Sequence, residues 1–83
     1  MSYADNVRSY CKKNYIDPAR KSGVKTVEII SGDVHRAMNY KNRYPLVCSS
    51  IGASKFEELC HVRLIAIEGP SQGATTLFRF ELI

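Results

Sequence analysis

Pro45 organises the middle of this chain. Proline breaks a helix from within, because it lacks an N–H and its ring collides with the carbonyl one turn back. It suits the first helical position, where that N–H would go unpaired anyway. A helix is therefore expected to open at about Tyr44 or Pro45 and to run to Ile51. Leu46, Val47 and Ile51 point inward by spacing, and Gly52 interrupts the pattern. Upstream, Ser31 can cap a helix over about residues 32 to 38. Val34, Ala37 and Met38 form its apolar stripe, and Asn39 suits its C-terminal end. The span from Ser31 to Ile51 thus reads as two short helices joined by a tight basic turn.

The flanking segments are simpler. Ser2 with Asp5 three positions later resembles a capping box, and Tyr3, Val7, Tyr10 and Cys11 recur at helical spacing. A first helix is expected over about residues 3 to 14. Asp17-Pro18 is a second start signal, and the turn Ala19 to Ser22 that it opens stops at Gly23. Residues 24–30 are rich in β-branched side chains and read as a strand. Ser54 caps a last short helix in which Phe56, Leu59 and Cys60 face the core. Two more strands follow, Val62 to Glu68 and Thr75 to Leu82, separated by a polar loop, 69–74, with two glycines. Strand, loop and strand make a β-hairpin. In its second strand Leu77 and Arg79 face one way, and Phe78, Phe80 and Leu82 the other. There is no internal repeat, low-complexity tract or linker.

With 83 residues the chain is expected to be one domain. Its 45% hydrophobic and 24% charged content are those of a globular fold, which argues against intrinsic disorder. Twelve Lys and Arg against eight Asp and Glu leave a formal charge of +4, favourable to polyanionic partners. Residues 1 to 30 hold no long apolar run, so no secretory signal is read. No stretch approaches the about 20 apolar residues that span a bilayer. Cys11, Cys48 and Cys60 are odd in number and irregular in spacing, unlike a disulfide framework. A reducing, cytoplasmic setting is expected.

A helix, a turn and a second helix are one way small proteins place side chains in the DNA major groove. The whole order here, helix, strand, helix, helix, strand, loop, strand, resembles the winged helix-turn-helix family. The resemblance implies an α+β fold in which the first strand joins the hairpin in a small three-stranded antiparallel sheet. It also implies that residues 44–51 form the recognition helix and residues 69–74 the wing. The implied function is non-enzymatic binding of double-stranded DNA in a regulatory or DNA-processing role. The loop 69–74 lacks Lys and Arg, so a wing contact would use Ser71, Gln72, Thr75 or backbone N–H groups.

Arg43 leads the candidate contacts, at the start of the second helix of the pair, where a guanidinium can reach a guanine edge. Lys41 suits a phosphate. Asn42 is either a helix cap or a reader of adenine. Tyr44 either stacks on the DNA or covers the core edge. Ser49 and Ser50 lie on the same helix, and at least one should face outward. His35 and Arg36 are read onto the polar side of the preceding helix, where Arg36 pairs with a phosphate or with Asp33. Lys12, Lys13, Arg20 and Lys21 form a basic cluster that would extend the footprint.

Catalysis and metal binding find no support. Cys48 and Cys60 fall among apolar neighbours, and nothing pairs them with His35 or His61 as nucleophile and base. There is no CxxC pair, and the adjacent Cys60 and His61 would diverge on a helix. No cofactor is expected. The competing class is a protein-interaction or assembly module, either a homodimer through the first helix or an accessory to a larger protein partner. Tyr3, Tyr10, Tyr15 and Tyr40 would be its aromatic patch.

Overall fold

The computed structural model describes residues 2–83. It is an α+β fold of four helical bodies and one three-stranded antiparallel sheet. The first body is one continuous helical stretch in three parts: α1 (Tyr3–Cys11), a π-helical turn (Lys12–Ile16) and α2 (Asp17–Ser22). Ser2 caps it, its hydroxyl accepting from the Asp5 N–H (3.1 Å). Asp17-Pro18 therefore does not start a separate helix. Pro18 has no N–H, and its ring would crowd the carbonyl of Asn14 one turn back. The wider π turn relieves this by sending the Asp17 N–H to the Lys12 carbonyl, five residues away, and the backbone stays helical throughout. Gly23 ends the stretch in the left-handed conformation (φ 76°).

Then follow β1 (Thr26–Ile30), α3 (Ser31–Ala37), α4 (Tyr44–Ile51), α5 (Ser54–Cys60), β2 (Val62–Glu68) and β3 (Leu77–Leu82). The sheet order is β1-β3-β2, so the last strand is central. Val27 and Leu64 flank Phe80, and Ile29 and Ile67 flank Phe78, on the face turned to the helices. The ladder between β2 and β3 shifts register between Leu64 and Ala66. On the outer face Arg79 bridges Glu28 (2.6 Å) and Glu68 (2.8 Å), tying all three strands, and Arg63 pairs with Glu81.

The core gathers Val7, Cys11 and Ile16 from the first helix, Val34 from α3, Val47 and Ile51 from α4, and Phe56 from α5 against the two phenylalanines. Ala37 is exposed, and Leu59 is 43% exposed, so neither joins the core as its spacing suggested. Phe56 and Cys60, one turn apart, suffice to seat α5. Arg20 belongs to the scaffold: its guanidinium donates to the carbonyls of Cys60 (2.6 Å), His61 (2.9 Å) and Ile83 (3.2 Å), closing the C-terminal end of α5. No helix among the described residues is long and apolar enough to cross a membrane.

Candidate functional site

The connection from α3 to α4 folds over an aromatic platform. Asn39 (φ 59°) and Asn42 (φ 54°) both take the left-handed conformation that asparagine tolerates better than most residues, so six residues suffice to reverse the chain. The Arg43 backbone N–H then donates to His35 Nε2 (3.1 Å). The Tyr44 ring stacks on the imidazole at 4.0 Å between centroids, tilted by 20°. Tyr40 meets the same imidazole edge-on and in turn meets Tyr3. The Arg43 guanidinium lies 4.5 Å over the Tyr3 ring. This last contact joins the basic turn to the N-terminal helix.

Beside this platform is an open cleft of about 560 Å³. α3 and the strand before it supply Ile30, Gly32, Asp33, His35 and Arg36. The connection and α4 supply Asn39, Tyr40 and Tyr44, and Ala74 and Thr75 close the far side. The loop between β2 and β3 is held there rather than projecting as a free wing. The Ser31 N–H donates to Thr76 (2.9 Å), and the Gly32 N–H to Ala74 (2.8 Å). The Ser31 hydroxyl donates to the Gly73 carbonyl (2.5 Å). Buried Thr76 donates its hydroxyl to Pro70 (2.5 Å) and accepts from the Gly73 N–H (3.0 Å). Ser71 and Gln72 lie at the exposed tip of the loop.

Lys41, Asn42 and Arg43 are exposed at one end of α4, and Ser49 is exposed farther along that helix. Neither Lys41 nor Arg43 has a carboxylate partner among the described residues. Arg36 projects outward beside Asp33 (3.6 Å), in the surface pair its spacing suggested. Such an exposed pair contributes little, about 0–1 kcal/mol, and gives way readily to another anion. Arg43, not Asn42, occupies the cap position of α4, so the cap alternative for Asn42 is set aside.

Three expectations are corrected. Ser50 is buried: its hydroxyl donates to the Leu46 carbonyl (2.6 Å), which satisfies it inside and removes it from any surface. His35 is not on a polar face; it is 6% exposed beneath Tyr44. In the basic cluster Arg20 is committed to the carbonyls of Cys60, His61 and Ile83, and Lys12 to Asp17 (3.2 Å). The four tyrosines of the expected interface patch pair edge-on, Tyr3 with Tyr40 and Tyr10 with Tyr15, and Tyr3 remains 52% exposed. Ile30, Gly32 and Ala74 are cleft residues that the sequence did not point to as a site, and it pointed to Thr75 only as a wing contact and to Tyr40 only as part of an interface patch. His35 and Tyr44 stand nine residues apart across a turn, a separation to which no helical or strand period is sensitive.

All three cysteines are buried thiols. Burial pushes the Cys11 thiol up to about 12 and the Cys60 thiol up to about 11. Only the thiolate is nucleophilic, so neither should react with iodoacetamide at about pH 8 while the chain is folded. Mass spectrometry should show both unmodified until denaturant is added; rapid labelling of either in buffer contradicts their burial. The same shifts make the fold sensitive to alkali. An unfolded thiol ionises near its ordinary value, whereas the folded one keeps its proton. Stability should therefore fall as pH rises from about 9 toward 11.

Among the described residues no group of three His, Cys, Asp or Glu side chains is placed to hold a metal ion. What the region presents is cationic side chains around a connection and a cleft with donors, acceptors and aromatic walls. No family model, curated protein or solved structure matches this chain.

Proposed function

We propose that this domain binds double-stranded DNA without catalysing a reaction, through the α3–α4 connection and the exposed start of α4. The observation that carries this reading is the placement of unpaired cations on the α3–α4 connection. Arg8, Lys12, Arg63 and Arg79 are each held by a carboxylate, and Arg20 by carbonyls. Lys13, Lys21, Lys25, Lys41, Arg43 and Lys55 are exposed without such a partner among the described residues; of these, Lys41 and Arg43 share one short turn, and Arg36 of the preceding helix keeps only a weak pair. Phosphates draw cations of this kind, and the resulting binding weakens steeply with salt.

The order of elements and the sheet order β1-β3-β2 support the winged helix-turn-helix resemblance. One departure changes the expected contacts. α4 is buried along most of its length, with Val47, Cys48, Ser50 and Ile51 all covered, and α5 stands between it and β2. DNA would therefore meet the exposed start of α4, at Arg43 and Tyr44, and the exposed Ser49 farther along, and not the whole helix. Lys41 and Arg36 would hold phosphates, and Gln72 at the loop tip would flank them.

Amide NMR titration with a mixed-sequence duplex at low salt tests this. Shifts are expected at residues 36–49 and 71–75, fading near about 0.2 M salt. Absence of shifts at low salt removes DNA as the ligand. Arg43→Ala should weaken a preferred site by about 1–3 kcal/mol and relax sequence choice. Lys41→Ala should weaken all sequences alike and lower the salt slope by about one. If both variants bind as the parent does, the contact face lies elsewhere.

A further inference from the structure

The cleft beside the basic turn mixes hydrogen-bond donors, acceptors and aromatic walls. His35 Nε2 accepts from the Arg43 N–H, which assigns the proton of the neutral ring to Nδ1. Nδ1 has no hydrogen-bond partner among the described residues, and no polar side-chain atom there is both sealed from solvent and unsatisfied. A ring otherwise almost wholly buried thus keeps one N–H in reach of solvent, and the residue lines the cleft. Asp33 adds a pure acceptor and Asn39 both a donor and an acceptor. Tyr40 and Tyr44 add aromatic surface, and Ile30 and Ala74 apolar surface.

This lining does not suit a bare phosphate, which would face the Asp33 carboxylate. It suits a planar heterocycle whose edge carries both donors and acceptors and whose face needs an aromatic neighbour. The volume of about 560 Å³ lies within the range of small-molecule sites and accommodates a single base. Arg36, with 80% of its side chain exposed, stands at the same cleft for the adjoining phosphate.

We propose that the cleft receives one unpaired nucleobase of the bound DNA, with His35 Nδ1–H and the Asp33 carboxylate on its edge and a tyrosine ring against its face. This rests on the DNA reading above and adds a preference within it, for duplexes in which one base is already free of its partner. Extruding a paired base requires unstacking and unpairing, and a bulged base has largely met that requirement.

Fluorescence anisotropy with two duplexes of one length, one fully paired and one carrying a single bulged base, tests the proposal. The bulged duplex is expected to bind about tenfold more tightly. Thr75→Phe places a ring in the cleft from an exposed position, and should abolish that preference, so that the two duplexes bind alike. Asp33→Asn keeps the shape of the cleft but adds a donor, and should change which bulged base binds best. Equal binding of both duplexes by the parent overturns the cleft proposal and leaves the DNA reading standing. A preference that survives both variants unchanged also overturns it. Failure of either duplex to bind at low salt overturns the DNA reading and this proposal with it.

Discussion

Phe80→Ala is expected to lower the thermal midpoint by roughly 15–30 °C, the largest effect of any single truncation in this fold. Phe80 is fully buried on the central strand, with Val27 on one side and Leu64 on the other. Its ring packs on Phe56 of α5 at 5.0 Å between centroids. One side chain therefore touches both edge strands and the helix that precedes the hairpin. Truncating a buried phenylalanine destabilises by about 3–5 kcal/mol, from lost burial and the cavity left behind. A domain of this size has roughly 4–12 kcal/mol in total, so the loss is about a quarter of it or more. Phe80→Leu keeps most of the volume and should lose clearly less. Circular dichroism melts of the two variants check this. A Phe80→Ala midpoint within a few degrees of the parent would mean that the strand does not turn this residue inward.

Gly32→Ala is the second large expectation, and its cause is room rather than burial. A Cβ at Gly32 would meet the Ala74 carbonyl oxygen well inside van der Waals contact, with the carbonyl carbon at 3.1 Å. That carbonyl cannot yield, because it accepts the Gly32 N–H, and the neighbouring Thr76 carbonyl accepts the Ser31 N–H. The methyl group must therefore displace the loop from α3 and break at least one of these bonds. Such overpacking costs about 1–3 kcal/mol, occasionally more. The readout is local as well as global. Hydrogen exchange should accelerate at Gly32 and Ser31 more than at the β1–β3 ladder. Unchanged protection there would show that the loop is not clamped by these bonds.

The two residues also show how much of the fold and site was legible in the amino-acid order. Phe80 was readable: alternation in its strand assigned Phe78 and Phe80 to one face, and both are buried. β2 runs from Val62 to Glu68 as its composition suggested, and α4 opens at Tyr44 with Pro45 next. Gly32 was not readable, since nothing near it in the chain announces that Ala74 will lie against it. Asp17-Pro18 misled for a related reason. A local start signal was correct about the proline, yet the helix before it could adopt a π turn and continue. Ser50 and His35 are polar yet buried, so polarity alone does not give exposure. A hydroxyl satisfied by Leu46 and an imidazole satisfied by the Arg43 N–H can both be buried.

The basic turn belongs to the amino-acid order alone, as do the helix start at Pro45 and the strands with their inward faces. Each depends on neighbours within a few residues, through backbone sterics, capping and the periods of helix and strand. The cleft belongs to the tertiary structure. His35, Tyr44 and Thr75 come together only when α4 folds back on α3 and the hairpin loop bonds to the start of α3. Those approaches depend on which surfaces pack and which backbone groups find partners across forty residues of chain, and no local pattern records them.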